Sequence, residues 1–185
     1  MDFNQHLDLA GKHAFLSASS YHWLNYTPEK LAQVYENNKA KEKGTMLHAW
    51  ASIAITEGIK LARLKKAINM FVNDAIGFRM ASEVVLYFSD NCFGTADAIV
   101  YKDDVLRIHD LKTGISKPSF SQLSIYGALF CLEYEVNPFE TVFVQRIYQG
   151  NGFEERIAEP DEISEIMHKI VEFDRVLDDV KLTLG

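Results

Sequence analysis

Cysteine is scarce in this chain of 185 residues: Cys92 and Cys131 are the only two. They show no metal-ligand spacing and read as buried apolar fillers in a reducing, cytoplasmic setting. Long apolar runs are missing as well. None approaches the roughly 18 residues that span a bilayer, so no membrane partner is expected. The opening MDFNQHLDLAGKH has no basic region followed by an apolar core, so it does not read as a secretory signal. Internal repeats, low-complexity tracts and linkers are all absent. Basic charge is short too, with 19 lysines and arginines against 26 acids and a net charge of -7. That balance argues against a protein that coats nucleic acid by bulk electrostatics, while leaving room for a local basic groove.

What is present is ordinary globular composition, 48% hydrophobic and 24% charged, in a length that suits one domain with its own core. Along residues 13–26, Ser17, Ser19 and Ser20 are placed to cap short helical turns. Pro28-Glu29 opens a helix to about Lys43, and Gly44-Thr45 is expected to break it, with Thr45 capping the next. Leu47, Trp50, Ile53 and Ala54, then Leu61, Leu64, Ile68 and Phe71, continue at helical spacing to about Gly77. The texture then turns to valine and aromatics, predicting strands over 81–88, 93–101 and 105–112. A helix is expected from about Ser119 to Glu135, ended by Asn137-Pro138. Thr141–Tyr148 is a strand, Gln149-Gly150-Asn151-Gly152 a hairpin turn into 153–158, and Pro160 starts a last amphipathic helix. These elements predict an α/β domain over 1–185: an N-terminal helical segment to 43, a core over 44–158 and a C-terminal helix from 159.

The chemistry concentrates in GTADAIVYKDDVLRIHDLKTG, residues 94–114, read as two strands about the turn Lys102-Asp103-Asp104. Alternation puts Leu106, Ile108, Asp110 and Lys112 on one face of the second strand. An acid and a lysine at the end of an apolar strand are costly without partners. A hairpin would bring Asp97 beside Asp110, and two acids with a lysine suit a divalent cation and a water to be activated. Gly94-Thr95-Ala96 leave room around the Asp97 carboxylate. Gln122 and Tyr126, four apart, share one face of their helix. Taken singly, His48 reads as a hydrogen-bonded core residue and Gln122 with Tyr126 as the polar edge of an amphipathic helix, while Glu83 suits a solvated strand edge as well as a ligand. Order and spacing make them a set.

That set resembles the PD-(D/E)XK nuclease superfamily, in particular its RecB-like branch of lambda-type and CRISPR-associated exonucleases. The shared pattern reads here as GTMLHAW with His48, SEVVLYF with Glu83, GTAD with Asp97, DLK with Asp110 and Lys112, and QLSIY with Gln122 and Tyr126. The match covers about residues 44–148, and the opening HAFLSASSYHWLNY is similar to that of phage-encoded members. The chain departs from some relatives. It lacks the four cysteines that hold an iron–sulfur cluster, has Tyr26 where phage relatives often have cysteine, and has aspartate rather than glutamate in D-x-K.

The resemblance implies a restriction-endonuclease-like core, a central mixed β-sheet flanked by helices, acting as a metal-dependent DNA nuclease, with exonuclease action on linear DNA. Asp97 and Asp110 would supply carboxylates to Mg²⁺ or Mn²⁺, one or two ions, with the Leu111 carbonyl as a further ligand. His48 and Glu83 would complete the shell, the imidazole tilting the preference to Mn²⁺. Lys112 would orient the water and meet developing charge, and Gln122 and Tyr126 would position it and the substrate phosphate. Among Lys60, Arg63, Lys65 and Lys66, expected on one helical stretch, Lys65 and Lys66 together with Lys117 are candidate phosphate contacts. The implied setting is DNA recombination, repair or phage DNA processing in the host cytoplasm, with a homo-oligomer or a recombination protein as partner. Two other readings stay open: a catalytically silent nuclease-fold module that binds nucleic acid or a protein, and a hydrolase or metal-binding protein for a small phosphorylated molecule.

Overall fold

A computed structural model describes residues 14–184, with backbone only at 19–21. The N-terminal stretch discussed above lies outside the described residues up to His13, as do the side chains of Ser19 and Ser20. The chain divides into two compact units with the boundary between Thr45 and Met46, beside the limit expected between the helical segment and the core. In the first unit, a 3-10 helix (Ala18–Asn25) precedes the start of α1 (Pro28–Thr56).

α1 is one helix of 29 residues and runs straight through Gly44-Thr45, where the sequence predicted a break. A single glycine costs a helix only about 1 kcal/mol, and the segment around it is made of good helix formers. Thr45 does not cap; its hydroxyl donates back to the Lys41 carbonyl at 3.2 Å. The helix ends near Gly58, which takes a positive φ of 67°.

The second unit is an α/β sandwich. Its sheet holds β1 (Ala81–Ser89), β2 (Cys92–Lys102), β3 (Val105–Lys112), β4 (Val142–Gln149) and β5 (Gly152–Ala158) in sequence order. All neighbours are antiparallel except β3 and β4, which are parallel and joined through α3 (Ser121–Tyr134). This is the mixed sheet flanked by helices that the sequence predicted. Asp103 and Asp104 both take positive φ, 51° and 58°, the twist-matched geometry of a two-residue hairpin turn.

Two apolar layers sandwich the sheet. On one face Leu86, Ala96, Ile99, Leu106 and Ile108 pack with Leu123, Tyr126 and Leu129 of α3 and Ile163 of α4 (Pro160–Leu184). On the other, Ala98, Leu111 and Tyr148 pack with Ala51 and Ile55 of α1 and with Phe71 and Val72 of α2 (Ala67–Phe78). β3 is therefore buried from both sides, as a strand with a parallel neighbour usually is. Arg156 links β5 to both helices of this layer by bonding Glu162 of α4 and Ser124 of α3 at 2.7 Å each.

α3 lies so close to its neighbours that a Cβ on Gly127 would stand 3.2 Å from Ile163 and 3.3 Å from Phe143. Gly127→Val is therefore expected to overpack this layer and lower stability by about 1–3 kcal/mol. Urea unfolding reads the effect as a lower midpoint at unchanged slope; an unchanged midpoint would show that the layer has slack.

Candidate metal centre

Besides a register shift between Tyr87 and Ser89 near the β1–β2 turn, the sheet is interrupted along one line. The register pairs Ser82 with Ala98 and Val84 with Ala96, which leaves Glu83 and Asp97 facing each other without a ladder pair. On β2 and β3 the ladder stops at Ala98–His109, and the next rung in that register is Asp97–Asp110. Three acids on adjacent strands thus fall on a single line across the sheet.

At this line the alternation of β1 and of β2 reverses. Ser82 bonds Ser52 of α1 at 2.9 Å, while Val84 and Leu86, of the same parity, pack on the α3 side. Ala96 likewise belongs to the α3 layer and Ala98 to the α1–α2 layer. Glu83 achieves the reversal with a φ of 53°, a left-handed conformation that is costly for a residue with a side chain. Each strand therefore carries one surplus residue at the same level, and both surplus residues are acids.

His48, Glu83 and Asp97 converge, each offering one ligand atom, all within 4.8 Å of one another. His48 Nδ1 lies 3.3 Å from one Asp97 oxygen; the other oxygen accepts the Leu111 N–H at 2.8 Å. That bond replaces the strand pairing lost at Asp97 and fixes the Leu111 peptide next to the acids. Asp110, 2% exposed, stands outside the three-residue cluster. Lys112 Nζ donates to its Oδ1 at 3.0 Å. Its buried Oδ2 lies equally near that ammonium but out of line for a hydrogen bond, and no donor among the described residues serves it.

From Lys112 a chain of polar contacts leads to α3. Nζ donates to Gln122 Oε1 at 2.7 Å, and Gln122 Nε2 donates to the Tyr126 hydroxyl at 2.8 Å. Tyr126 reaches this position by crossing Gly94, where a Cβ would come within 2.9 Å of its ring. The glycine is thus required by a close approach, more than by room around Asp97.

Electrostatics follow from this crowding. Burial pushes the Asp110 carboxyl above its usual range and nearby Asp97 adds to the rise, with Lys112 opposing. Glu83 is raised as well, by loss of solvent and then by Asp97. His48 is raised, its hydrogen bond to Asp97 outweighing partial burial. Two carboxylates within 4.8 Å repel by a few kcal/mol at an effective dielectric of about 20, less where water screens them.

The donor set suits a hard divalent cation. Oxygen ligands dominate, one imidazole joins them, and a buried carboxylate oxygen lacks a donor. Ligands around an ion bonded at about 2.1 Å stand roughly 3–4 Å apart, so small side-chain movements would close the 4.8 Å cluster.

The cations fall in two places. Lys60, Arg63, Lys65 and Lys66 are on the irregular segment between α1 and α2, and not on a helix as expected. Asn73 explains the difference: its side chain accepts the Leu61 N–H at 2.8 Å and donates to the Leu61 carbonyl at 3.0 Å, replacing helical partners. Lys117 is exposed in the loop after β3, which Gln149 holds by donating to the carbonyls of Gly114 and Ser116 at 2.6 and 2.9 Å.

One polar cluster escaped sequence reasoning. His109, fully buried behind Asp110, meets the Tyr148 hydroxyl at 3.2 Å, and Tyr148 donates to Asp74 at 2.7 Å. Arg146 bonds Asp74 at 2.8 Å and Glu155 at 2.6 Å. Burial, with Arg146 and Arg107 nearby, depresses His109 to about 3, so the ring is neutral and serves as packing against Phe78. Alternation alone put His109 opposite Asp110; its partners are distant in sequence.

A family model described as "Protein of unknown function (DUF2800)" matches residues 84–150. That span takes in Asp97, Asp110, Lys112, Gln122 and Tyr126, while His48 and Glu83 precede it. No curated protein and no solved structure matches the chain.

The raised Asp110 carboxyl makes the metal-free protein more stable with that group protonated. This contribution is present below the ordinary aspartate range and is lost as pH rises through the elevated value. Asp110→Asn is therefore expected to raise the metal-free Tm relative to wild type at pH 7 and to do so much less at pH 4. Differential scanning fluorimetry in EDTA measures both; an equal difference at the two pH values would contradict the assignment.

Proposed function

We propose that the chain is a metal-dependent DNA nuclease of the RecB-like PD-(D/E)XK type. The observation that carries this reading is the convergence of three acids on one line of the sheet, with His48 on one side and the Lys112–Gln122–Tyr126 chain on the other. Glu83, Asp97, Asp110 and His48 would hold Mg²⁺ or Mn²⁺, joined by the Leu111 carbonyl. When bound, the cation lowers the pKa of a water and shields the phosphate charge.

The chain's own residues supply the rest. Lys112 has its ammonium between Asp110 and Gln122, placed to orient the attacking water and to meet charge developing on the scissile phosphate. Gln122, held by Tyr126, limits where that ammonium can point. The Leu111 N–H on Asp97 keeps the carboxylate turned towards His48. Exonuclease action on linear DNA is the mode we favour, since His48 and the Gln122–Tyr126 pair are features of that branch. No helix among the described residues is long and apolar enough to cross a membrane.

End-labelled linear duplex and closed circular plasmid, each with Mg²⁺, Mn²⁺ or EDTA, test the reading. Loss of the linear substrate alone, only with a divalent ion, is the expected result; nicking of the circle would keep the nuclease and overturn the exonuclease mode. Lys112→Ala is expected to lower the rate about 10²–10³-fold, the scale for removing one oriented charge. No cleavage of either substrate would leave a silent binding module.

Gly94→Ala tests the supporting chain. Its new methyl would push Tyr126 aside and so is expected to slow cleavage at least ~10-fold through a mispositioned Lys112, with binding of DNA retained. An unaffected rate would remove Tyr126 from the working site.

A further inference from the structure

The segment between α1 and α2 is irregular, yet its backbone is tied at several points along its length. Ile59 N–H donates to the Ala54 carbonyl at 2.8 Å, and Leu61 has both its peptide groups on Asn73. The Ala62 carbonyl accepts from Asn69 Nδ2 at 3.0 Å and from the Leu64 N–H at 2.8 Å. Ala67 N–H donates to Gly150 in the β4–β5 turn at 2.9 Å. Leu61 tucks into the apolar layer beside α1 and α2. A loop held in this way has already lost the conformational freedom that a binding partner would otherwise have to remove.

Past Glu57 at its start, what the loop presents is positive charge. Residues 58–73 contain Lys60, Arg63, Lys65 and Lys66 and no acid, in a chain whose net charge is -7. All four side chains belong to exposed residues, and none joins an ion pair among the described residues. Lys60, Arg63 and Lys65, together with Asn73, line an open cavity of about 540 Å³. The acid on its wall, Asp74, is occupied by Arg146 and Tyr148.

The loop also shares an anchor with the metal centre. Gly150, which receives Ala67, follows Gln149, and Gln149 pairs with Lys112 in the β3–β4 ladder. Basic loop and candidate centre therefore meet the same end of the sheet.

We propose that residues 60–66 form a preorganised track for the phosphodiester backbone of nucleic acid, with Asn73 and Asn69 as the positioning residues that shape it. The assignment rests on the nuclease reading for its direction towards the metal centre, and on the loop itself for its chemistry. Clustered unpaired cations bind a polyanion by releasing its counterions, without reading bases.

The test is binding without cleavage. Full-length protein in EDTA is titrated against a short fluorescein-labelled duplex and the matching single strand over a range of salt. The triple variant Lys60→Gln, Arg63→Gln, Lys65→Gln is expected to bind at least ~10-fold more weakly and to flatten the salt slope by about 2–3, roughly 0.9 per lost phosphate contact. Its Mn²⁺-induced rise in Tm should stay unchanged, which keeps the metal centre out of the comparison. Asn73→Ala, all cations present, is expected to weaken binding in the same direction.

Unchanged affinity and slope in the triple variant would overturn the track, as would failure of the wild type to bind either strand form at low salt. Binding unaffected by Asn73→Ala would overturn the role of the clamp. The two readings separate cleanly. Cleavage in Mn²⁺ with KM unmoved by the triple variant removes the track and leaves the nuclease. Salt-dependent binding lost in the triple variant, with no cleavage by wild type, keeps the track and removes the nuclease. The tighter-bound strand form identifies the source of the backbone.

Discussion

Repulsion among Glu83, Asp97 and Asp110 is the constraint around which this unit is arranged. Placing three acids on one line of a sheet is unfavourable, and two of them respond by holding protons more tightly than usual. The surroundings answer with few charges: His48 against Asp97 and Lys112 against Asp110. A backbone donor adds to this, the Leu111 N–H on Asp97, while the Gln122 side chain accepts from Lys112 and holds its ammonium in place. The balance is incomplete, since one Asp110 oxygen has no donor among the described residues. A cation or an ordered water beside that oxygen would remove the deficit.

The stiffness needed to hold that arrangement comes from both sides of β3. Apolar layers press on it from α3 and α4 and from α1 and α2, so Asp110 and Lys112 extend from a strand that cannot shift. Behind it, neutral His109 and the Tyr148–Asp74–Arg146 group fill the opposite face with linked polar contacts, though His109 Nε2 has no partner among the described residues. His109, depressed to about 3, stays neutral through the neutral range and so adds no change of charge behind the acids.

Much of this was legible from residues alone. Valine-rich and aromatic runs marked all five strands to within a residue or two, and alternation put Asp110 and Lys112 together on β3. The four-residue spacing of Gln122 and Tyr126 placed both on one helix face, where the structure links them to Lys112. Hidden features depend on contacts far apart in sequence. Gly44 looked like a helix end because local propensity was the only guide, whereas α1 continues through it. Periodic leucines at 61 and 64 looked helical because nothing nearby announced that Asn73 would take over their backbone bonds. Gly94 was read as clearance for Asp97, but its neighbour is Tyr126 on another element.

The paired surplus residues on β1 and β2 separate construction from chemistry. Because Glu83 and Asp97 interrupt both strands at the same level, pairing resumes in the same register on either side of them. The sheet above and below keeps its own inward and outward faces, and neither apolar layer has to adjust to the acids between them. Glu83 and Asp97 therefore sit in a seam of the scaffold, much as an expansion joint sits in a wall. Strain at Glu83 stays local, and selection acting on the seam can alter its chemistry without rewriting the packing that holds the sheet together.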